Sequence, residues 1–231
     1  MVGITYKNKH SYKEFGLTIK SKDISPPKKV KNKSTIPYMN GAYDFSELYG
    51  EQTYEERTLK YIFNLNCRSK IELNSKKISL LDWLLNSFKI NLSDDTIPGY
   101  FFLAECEEVN FKEDGINAEI SATFIAYPFK ISNLQDGHDI WDEFNFELDI
   151  TQNTKFEING IENINLYNNG AIGINPTIIC SSSMEIIKRN ITYKINSGES
   201  KSWSFKLDKG LNELIIKGNG IIEFKWNKEV L

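Results

Sequence analysis

The chain has 231 residues, of which 40% are hydrophobic, 13% aromatic and 26% charged, the make-up of an ordinary globular protein, which excludes a disordered or collagen-like chain. At roughly 150 residues per domain, that length makes one large or two small domains. The formal charge is −3, from 28 basic and 31 acidic residues; only Arg57, Arg68 and Arg189 supply the planar fork that reads bases bidentately, which argues against sequence-specific nucleic-acid binding.

No window approaches the ~18 uninterrupted apolar residues of a membrane span, and Met1 to His10 lacks the apolar core of a secretion signal. The expected setting is a cytoplasm, or export as part of something larger, with no membrane contact. Cys67, Cys106 and Cys180 form an odd set without CxxC spacing, so buried thiols are expected in place of disulfides or zinc ligands.

In chain order, Val2 to Lys20 reads as two short strands about Asn8 to Lys13, with His10 in a charged turn. Lys20 to Lys33 holds six lysines against one aspartate; Pro26 and Pro27 forbid a central strand, so the stretch reads as a loop. Asn40-Gly41, between Ser34–Met39 and Ala42–Phe45, signals a hairpin. From Glu56 to Cys67 the alternation of Leu59, Tyr61, Phe63, Leu65 and Cys67 with polar residues predicts a half-buried strand.

One helix is expected near 75–90, capped by Asn74 or Ser75 and burying a face of Ile78, Leu81, Leu84, Leu85 and Phe88. Asp94-Asp95-Thr-Ile-Pro-Gly99 reads as a solvated break. Two strands should follow, Tyr100–Phe111 and Ile116–Tyr127, joined by Glu113-Asp114-Gly115; the second alternates Ile116, Ala118, Ile120, Ala122, Phe124 and Ala126 on one face.

Polar Asn133–Gly137 interrupts that pattern and suggests a domain boundary, giving units of 1–130 and 131–231. Beyond it, turn signals at Asn159-Gly160, Asn168–Gly170, Asn196–Gly198, Asp208–Gly210 and Gly218–Gly220 set a rhythm of short strands, which predicts an antiparallel sandwich of about eight strands.

Chemistry is sparse. Asp136, His138, Asp139, Asp142 and Glu143 gather carboxylates about one imidazole, but the spacing fits no EF-hand loop, and an acidic linker is the better reading; a cation-dependent hydrolase using Asp136, His138, Asp139 and Asp142 is the enzymatic alternative. Asp94 and Asp95 are neighbours on a turn and cannot flank a glycosidic bond. Gly170-Ala-Ile-Gly173 completes no phosphate-binding loop. Tyr38, Tyr43, Tyr49, Tyr54, Tyr167, Trp203 and Trp226 lie in or near turns, where aromatics anchor interfaces or stack on sugars; each otherwise completes a core.

A resemblance becomes specific at Phe15-Gly-Leu17, at Pro26-Pro-Lys-Lys29, at Ile36-Pro-Tyr-Met-Asn-Gly-Ala-Tyr-Asp-Phe-Ser46 and at Gly50-Glu-Gln-Thr-Tyr-Glu-Glu-Arg57. Together these resemble the distal tail (Dit) family, or siphovirus tail component, of phages infecting Gram-positive bacteria. Trp83-Leu84, the Asp94-Asp95 to Ala104 return strand, Asn168–Gly170, Asn175-Pro-Thr177 and Gly218–Trp226 keep the family's order.

The resemblance implies a mainly β fold, with a ring-forming N-terminal domain carrying one helix and a C-terminal galectin-like sandwich. It implies a non-enzymatic homo-hexamer at the virion tail tip, assembled in the host cytoplasm and needing no cofactor. That hexamer would join the tail tube protein to a tail-associated lysin or fibre hub and to receptor-binding proteins, with a channel through which DNA passes unbound. At 231 residues the chain leaves no room for the carbohydrate-binding insertions of larger relatives; a module reading cell-wall glycans is the alternative role.

A closed hexamer needs two different patches that meet between neighbours. One expected patch runs from Ile36 to Arg57 and includes Tyr38, Asp44, Glu47, Glu51, Tyr54, Glu55, Glu56 and Arg57. The lysine stretch, with Lys28, Lys29, Lys31 and Lys33, is expected opposite it across the interface.

Overall fold

The computed structural model describes residues 2–48, 50–138 and 149–231. It divides into two compact units that part between Ile131 and Ser132.

The first unit contains β1 (Ile4–Tyr6), β2 (Lys9–His10), α1 (Ser11–Phe15), β3 (Thr18–Ile24), β4 (Lys33–Ser34), β5 (Tyr43–Asp44), β6 (Arg57–Leu65), α2 (Lys70–Leu85), β7 (Ile90–Asp94), β8 (Tyr100–Asp114) and most of β9 (Asn117–Gln135). Its main sheet runs β2-β1-β7-β8-β9-β6-β3. Strand β6 is the alternating run of the sequence: Leu59, Tyr61, Phe63 and Leu65 are fully buried, and opposite them on β9 lie Phe124, Ala122, Ile120 and Ala118, all buried.

Three expectations change. The lysine stretch begins inside β3, which pairs with β6 over Ile24↔Leu59 to Thr18↔Asn64, so only the part after Ile24 is a connection. The region after β2 is a short helix, α1. His10 caps it, Nδ1 accepting the backbone N–H groups of Tyr12 and Lys13 at 3.1 and 3.2 Å, and Gly16 closes it in the left-handed conformation at φ 71°.

The third change concerns α2, which starts five residues before Ser75. Its cap is Ser69, whose Oγ accepts the Glu72 N–H at 3.2 Å, while the Glu72 carboxylate accepts the Arg68 N–H at 2.8 Å. Ser69-x-x-Glu72 is a capping-box pattern. The buried face is Leu73, Leu80, Trp83 and Leu84, whereas Ile78, Leu81, Leu85 and Phe88 are exposed.

The second unit contains β10 (Lys155–Asn168), β11 (Thr177–Cys180), β12 (Met184–Lys188), β13 (Ile191–Ile195), β14 (Gly198–Lys201), β15 (Gly210–Lys225) and β16 (Asn227–Val230). Strand β9 runs through the polar stretch to Gln135, and β16 pairs with it; within this unit the Ser132 hydroxyl accepts the Lys228 N–H at 2.9 Å.

Along one side β15 pairs with β10 from Asn168↔Gly210 to Lys155↔Glu223. Along the other it pairs with β12 at Ile215–Lys217 and with β11 at Ile222–Lys225. Two strand groups therefore share β15, dividing at Gly218-Asn-Gly220, where the glycines take φ 149° and 123°. Asn159-Gly160 and Gly218–Gly220 are consequently not chain reversals. They face each other inside the β10–β15 pair (Gly160↔Gly218), a use of paired glycines to bend long strands. Turns do occur at Gly198 and Gly210, with φ 99° and 88°.

All three cysteines are buried free thiols; burial pushes Cys106 up to about 12 and Cys180 to about 11, so neither is a nucleophile near neutrality. No helix among the described residues is long and apolar enough to cross a membrane.

Candidate functional site

Between β3 and β6 the chain leaves the sheet as a two-legged arm. Near its root, Lys29 and Tyr54 form a β-bridge, the Glu55 N–H donates to the Lys28 carbonyl at 2.8 Å and the Val30 N–H to the Thr53 carbonyl at 3.0 Å. Further out, β4 and β5 pair as Lys33↔Asp44 and Ser34↔Tyr43. The expected hairpin is thus present, but its turn differs. The tight turn is Ile36-Pro-Tyr-Met39, closed by the Met39 N–H on the Ile36 carbonyl at 3.1 Å, with Pro37 at its second position and Tyr38 at φ 68°. A type II turn needs positive φ at that third position, which glycine usually fills; a tyrosine there costs about 1 kcal/mol.

The arm has almost no apolar cover. Ile36, Tyr43, Phe45 and Leu48 are exposed by 47–67%, and Tyr38 fully. Its polar groups instead satisfy one another. Asp44 accepts the Ser46 hydroxyl and the Ser46 N–H (3.0 Å), and Lys31 Nζ lies 3.4 Å from its other oxygen; these hydrogen bonds, the Ser46 hydroxyl first, draw its pKa down to about 2.

The structure separates the expected interface residues into two groups. Lys28, Lys29, Lys31, Tyr38, Asp44, Glu47 and Glu55 are exposed on the arm, so the lysine and acidic stretches form the two legs of one ribbon, and Lys31 and Asp44 pair within a single copy. Glu51 is half-buried; Tyr49 lies outside the described residues. Tyr54 packs edge-on against Phe129, with ring centroids 5.4 Å apart.

Arg57 is no surface group. It is 5% exposed, donates to the carbonyls of Ser25 (2.9 Å) and Pro128 (3.2 Å) and stacks on Phe102. It pins the root of the arm to the sheet. Glu56 pairs with Lys89 just beyond α2.

Asp94 and Asp95 part company as well. Asp95 is held by His10 Nε2 and the Gly3 N–H, each at 2.9 Å. Gly3 is required here, because a Cβ would fall 2.5 Å from the imidazole. Asp94 is buried and accepts from Lys22 Nζ (2.8 Å), Tyr61 OH (3.0 Å), Thr96 N–H (2.9 Å) and Thr96 Oγ1 (2.8 Å). Both carboxylates thus serve hydrogen bonds within the fold.

In the second unit Trp226 is buried and cannot stack on a sugar, whereas Trp203 is 90% exposed, its loop held by Asn175 Nδ2 on the Phe205 carbonyl at 2.7 Å. Asp136 accepts Gln152 Nε2 at 3.1 Å; burial above all pushes its pKa up to about 6, opposite to the need of a cation ligand. Asp139, Asp142 and Glu143 lie outside the described residues. Among the described residues no group of three His, Cys, Asp or Glu side chains could hold a metal.

A family model described as the phage tail protein RIFT-related domain matches residues 8–126, more than half of the chain and all of the arm and α2. The chain belongs to this phage tail protein family. Among solved structures, the crystal structure of Dit from phage SPP1, described as a paradigm of the hub adsorption apparatus in phages infecting Gram-positive bacteria, matches at TM-score 0.68 and 13% identity, covering 100% of both chains. No curated protein matches the sequence. The phage tail protein therefore has a mainly β, Dit-like fold throughout its length, and its RIFT-related domain carries the exposed arm.

Proposed function

We propose that this phage tail protein is a distal tail hub subunit, a non-enzymatic structural component of the virion tail tip. In this reading the first unit closes into a hexameric ring and the second projects as a sandwich. The ring joins the tail tube to the lysin or fibre hub, with receptor-binding proteins at its periphery. The observation that carries the proposal is the full-length Dit-like fold combined with an arm whose apolar side chains have no cover in one copy. Six copies at −3 each carry −18, which suits a channel that passes DNA without holding it.

Light scattering of the purified protein over a range of concentration, followed by negative-stain imaging, tests the hub. The expected species has six times the 26.6 kDa chain mass and ring-shaped particles. A strict monomer under all conditions counts against self-assembly.

The arm's charges give a second test. Changing Lys28, Lys29, Lys31 and Lys33 together to Glu sets like charges on both legs, which is expected to splay the ribbon and weaken assembly at low salt, with recovery as salt screens the repulsion. Unchanged assembly at every salt concentration removes these lysines from any role in the interface.

A further inference from the structure

Asn40-Gly41 is a hairpin signal that the hairpin does not use, since the tight turn closes at Ile36–Met39. Asparagine followed by glycine is also a reactive pair. The glycine nitrogen can attack the asparagine side-chain carbonyl, because no Cβ stands in the way of the close approach. The chain holds four such pairs, Asn40-Gly41, Asn159-Gly160, Asn169-Gly170 and Asn219-Gly220, and the fold treats them differently.

Three of them are held in place. The Gly160 N–H donates to Asn219 Oδ1 at 3.0 Å, which engages the nucleophile of one pair and the side chain of another. Asn159 and Asn219 lie opposite each other in the β10–β15 ladder, where Gly220 faces Ile158, and the Asn219 carbonyl accepts the Ser182 hydroxyl. Gly170 is buried. Its N–H donates to Asn168 Oδ1 at 2.9 Å, and a Cβ there would lie 3.0 Å from the Glu229 carbonyl, so the backbone is packed as well as bonded.

The fourth pair is open. Asn40 and Gly41 are both exposed and lie outside every strand. Among the described residues, neither the Gly41 N–H nor the Asn40 amide is engaged in a hydrogen bond. Apart from the adjoining residues, no atom comes within 4 Å of where a Gly41 Cβ would stand. Segments with exposed backbone and little apolar cover rearrange at almost no cost in free energy, whereas a paired strand must first open.

We propose that Asn40-Gly41 is a self-modification site, at which the side-chain amide of Asn40 becomes a carboxylate as the chain ages. The Gly41 nitrogen loses its proton to hydroxide and forms a bond to Asn40 Cγ. The Cγ–Nδ2 bond breaks, and Nδ2 takes a proton from water and leaves as ammonia. Water then opens the cyclic imide at one of its two carbonyls, giving either aspartate at position 40 or the iso form, in which the backbone runs through Cγ. Water is the only co-reactant, and the chemistry is complete within a single copy.

The product is charged at neutral pH, since an ordinary aspartate has a pKa of about 3.9. It adds a negative charge to an arm that carries Asp44, Glu47, Glu51, Glu55 and Glu56 against Lys28, Lys29, Lys31 and Lys33. The iso form also lengthens the backbone of the arm by one methylene. An aged copy therefore differs from a fresh one in the charge of its arm.

The test is incubation of the full chain in mildly alkaline buffer, with and without urea, followed by peptide mass spectrometry with fragmentation to assign the site. The tryptic peptide Ser34–Arg57 contains Asn40 as its one asparagine. In the native chain this peptide is expected to gain about one mass unit. The reaction there is expected to run about 10-fold or more faster than at Asn159, Asn169 and Asn219, whose surroundings must open first. In urea the four rates are expected to converge, because glycine follows the asparagine in all four pairs. Asn40→Gln, in which attack would have to close a larger ring, is expected to lose the mass gain and keep the circular dichroism of wild type. No gain at Asn40 in the native chain, a smaller margin over the other three, or a lead that persists unchanged in urea overturns the assignment.

Discussion

Replacing Asp94 by Ala is expected to lower the stability of the first unit by about 3 kcal/mol in chemical denaturation. The carboxylate is fully buried and accepts four hydrogen bonds, from Lys22, Tyr61 and Thr96. Its removal strands the Tyr61 hydroxyl in the core. Lys22, whose side chain is 28% exposed, recovers part of its solvation, which keeps the cost at the lower end of the range for a broken buried pair. Asp94→Asn keeps an acceptor for Tyr61 and loses the charge facing Lys22, so it should fall between Asp94→Ala and wild type.

The same site sets a pH dependence. Burial by itself raises the Asp94 pKa, but the hydrogen bonds from Lys22, Thr96 and Tyr61 outweigh it and hold the group below its usual value. The unfolded chain therefore binds this proton more readily than the folded one. Asp94 contributes stability above its unfolded pKa of about 3.9, and that contribution is lost as pH falls through the folded value. Wild type and Asp94→Asn should converge in stability below about pH 4, and a difference that stays constant down to pH 2 would show that the charge plays no part.

How far the sequence could reach depended on whether a pattern had one solution. Strand β6 has one, because its period-2 run leaves no other face to bury. Arg57 shares that parity with Leu59 and Tyr61, so the signal for its burial was present and was masked by the habit of placing arginine outside. Helix α2 has two solutions. Leu73, Leu80, Trp83 and Leu84 make one apolar face and Ile71, Ile78, Leu81 and Leu85 the other; helical spacing alone does not say which meets the sheet. The Ser69–Glu72 cap would have fixed the start of the helix, although not its rotation.

Long-range partners were out of reach. Asp94 finds Lys22 and Tyr61, and His10 finds Asp95, across sequence separations that no local pattern encodes. The arm was legible as a hairpin from its turn residues. That its lysine and acidic stretches face each other within one ribbon depends on the leg pairing of Lys29 with Tyr54 and Lys33 with Asp44, which two opposite charge runs alone do not specify.

Trp83→Ala is expected to have the largest effect of any single truncation, about 3–5 kcal/mol. The indole is 2% exposed, stacks on Phe15 with centroids 4.6 Å apart, meets the edge of Tyr6, and donates from Nε1 to the Tyr6 carbonyl at 2.8 Å. One side chain thus ties α2 to both α1 and β1. Trp83→Phe retains much of the packing and loses the hydrogen bond, so it should cost about 1–2 kcal/mol. Thermal melting reads both costs; a Trp83→Phe variant that melts as early as Trp83→Ala would show that the hydrogen bond to Tyr6, and not the packing, accounts for the indole's contribution.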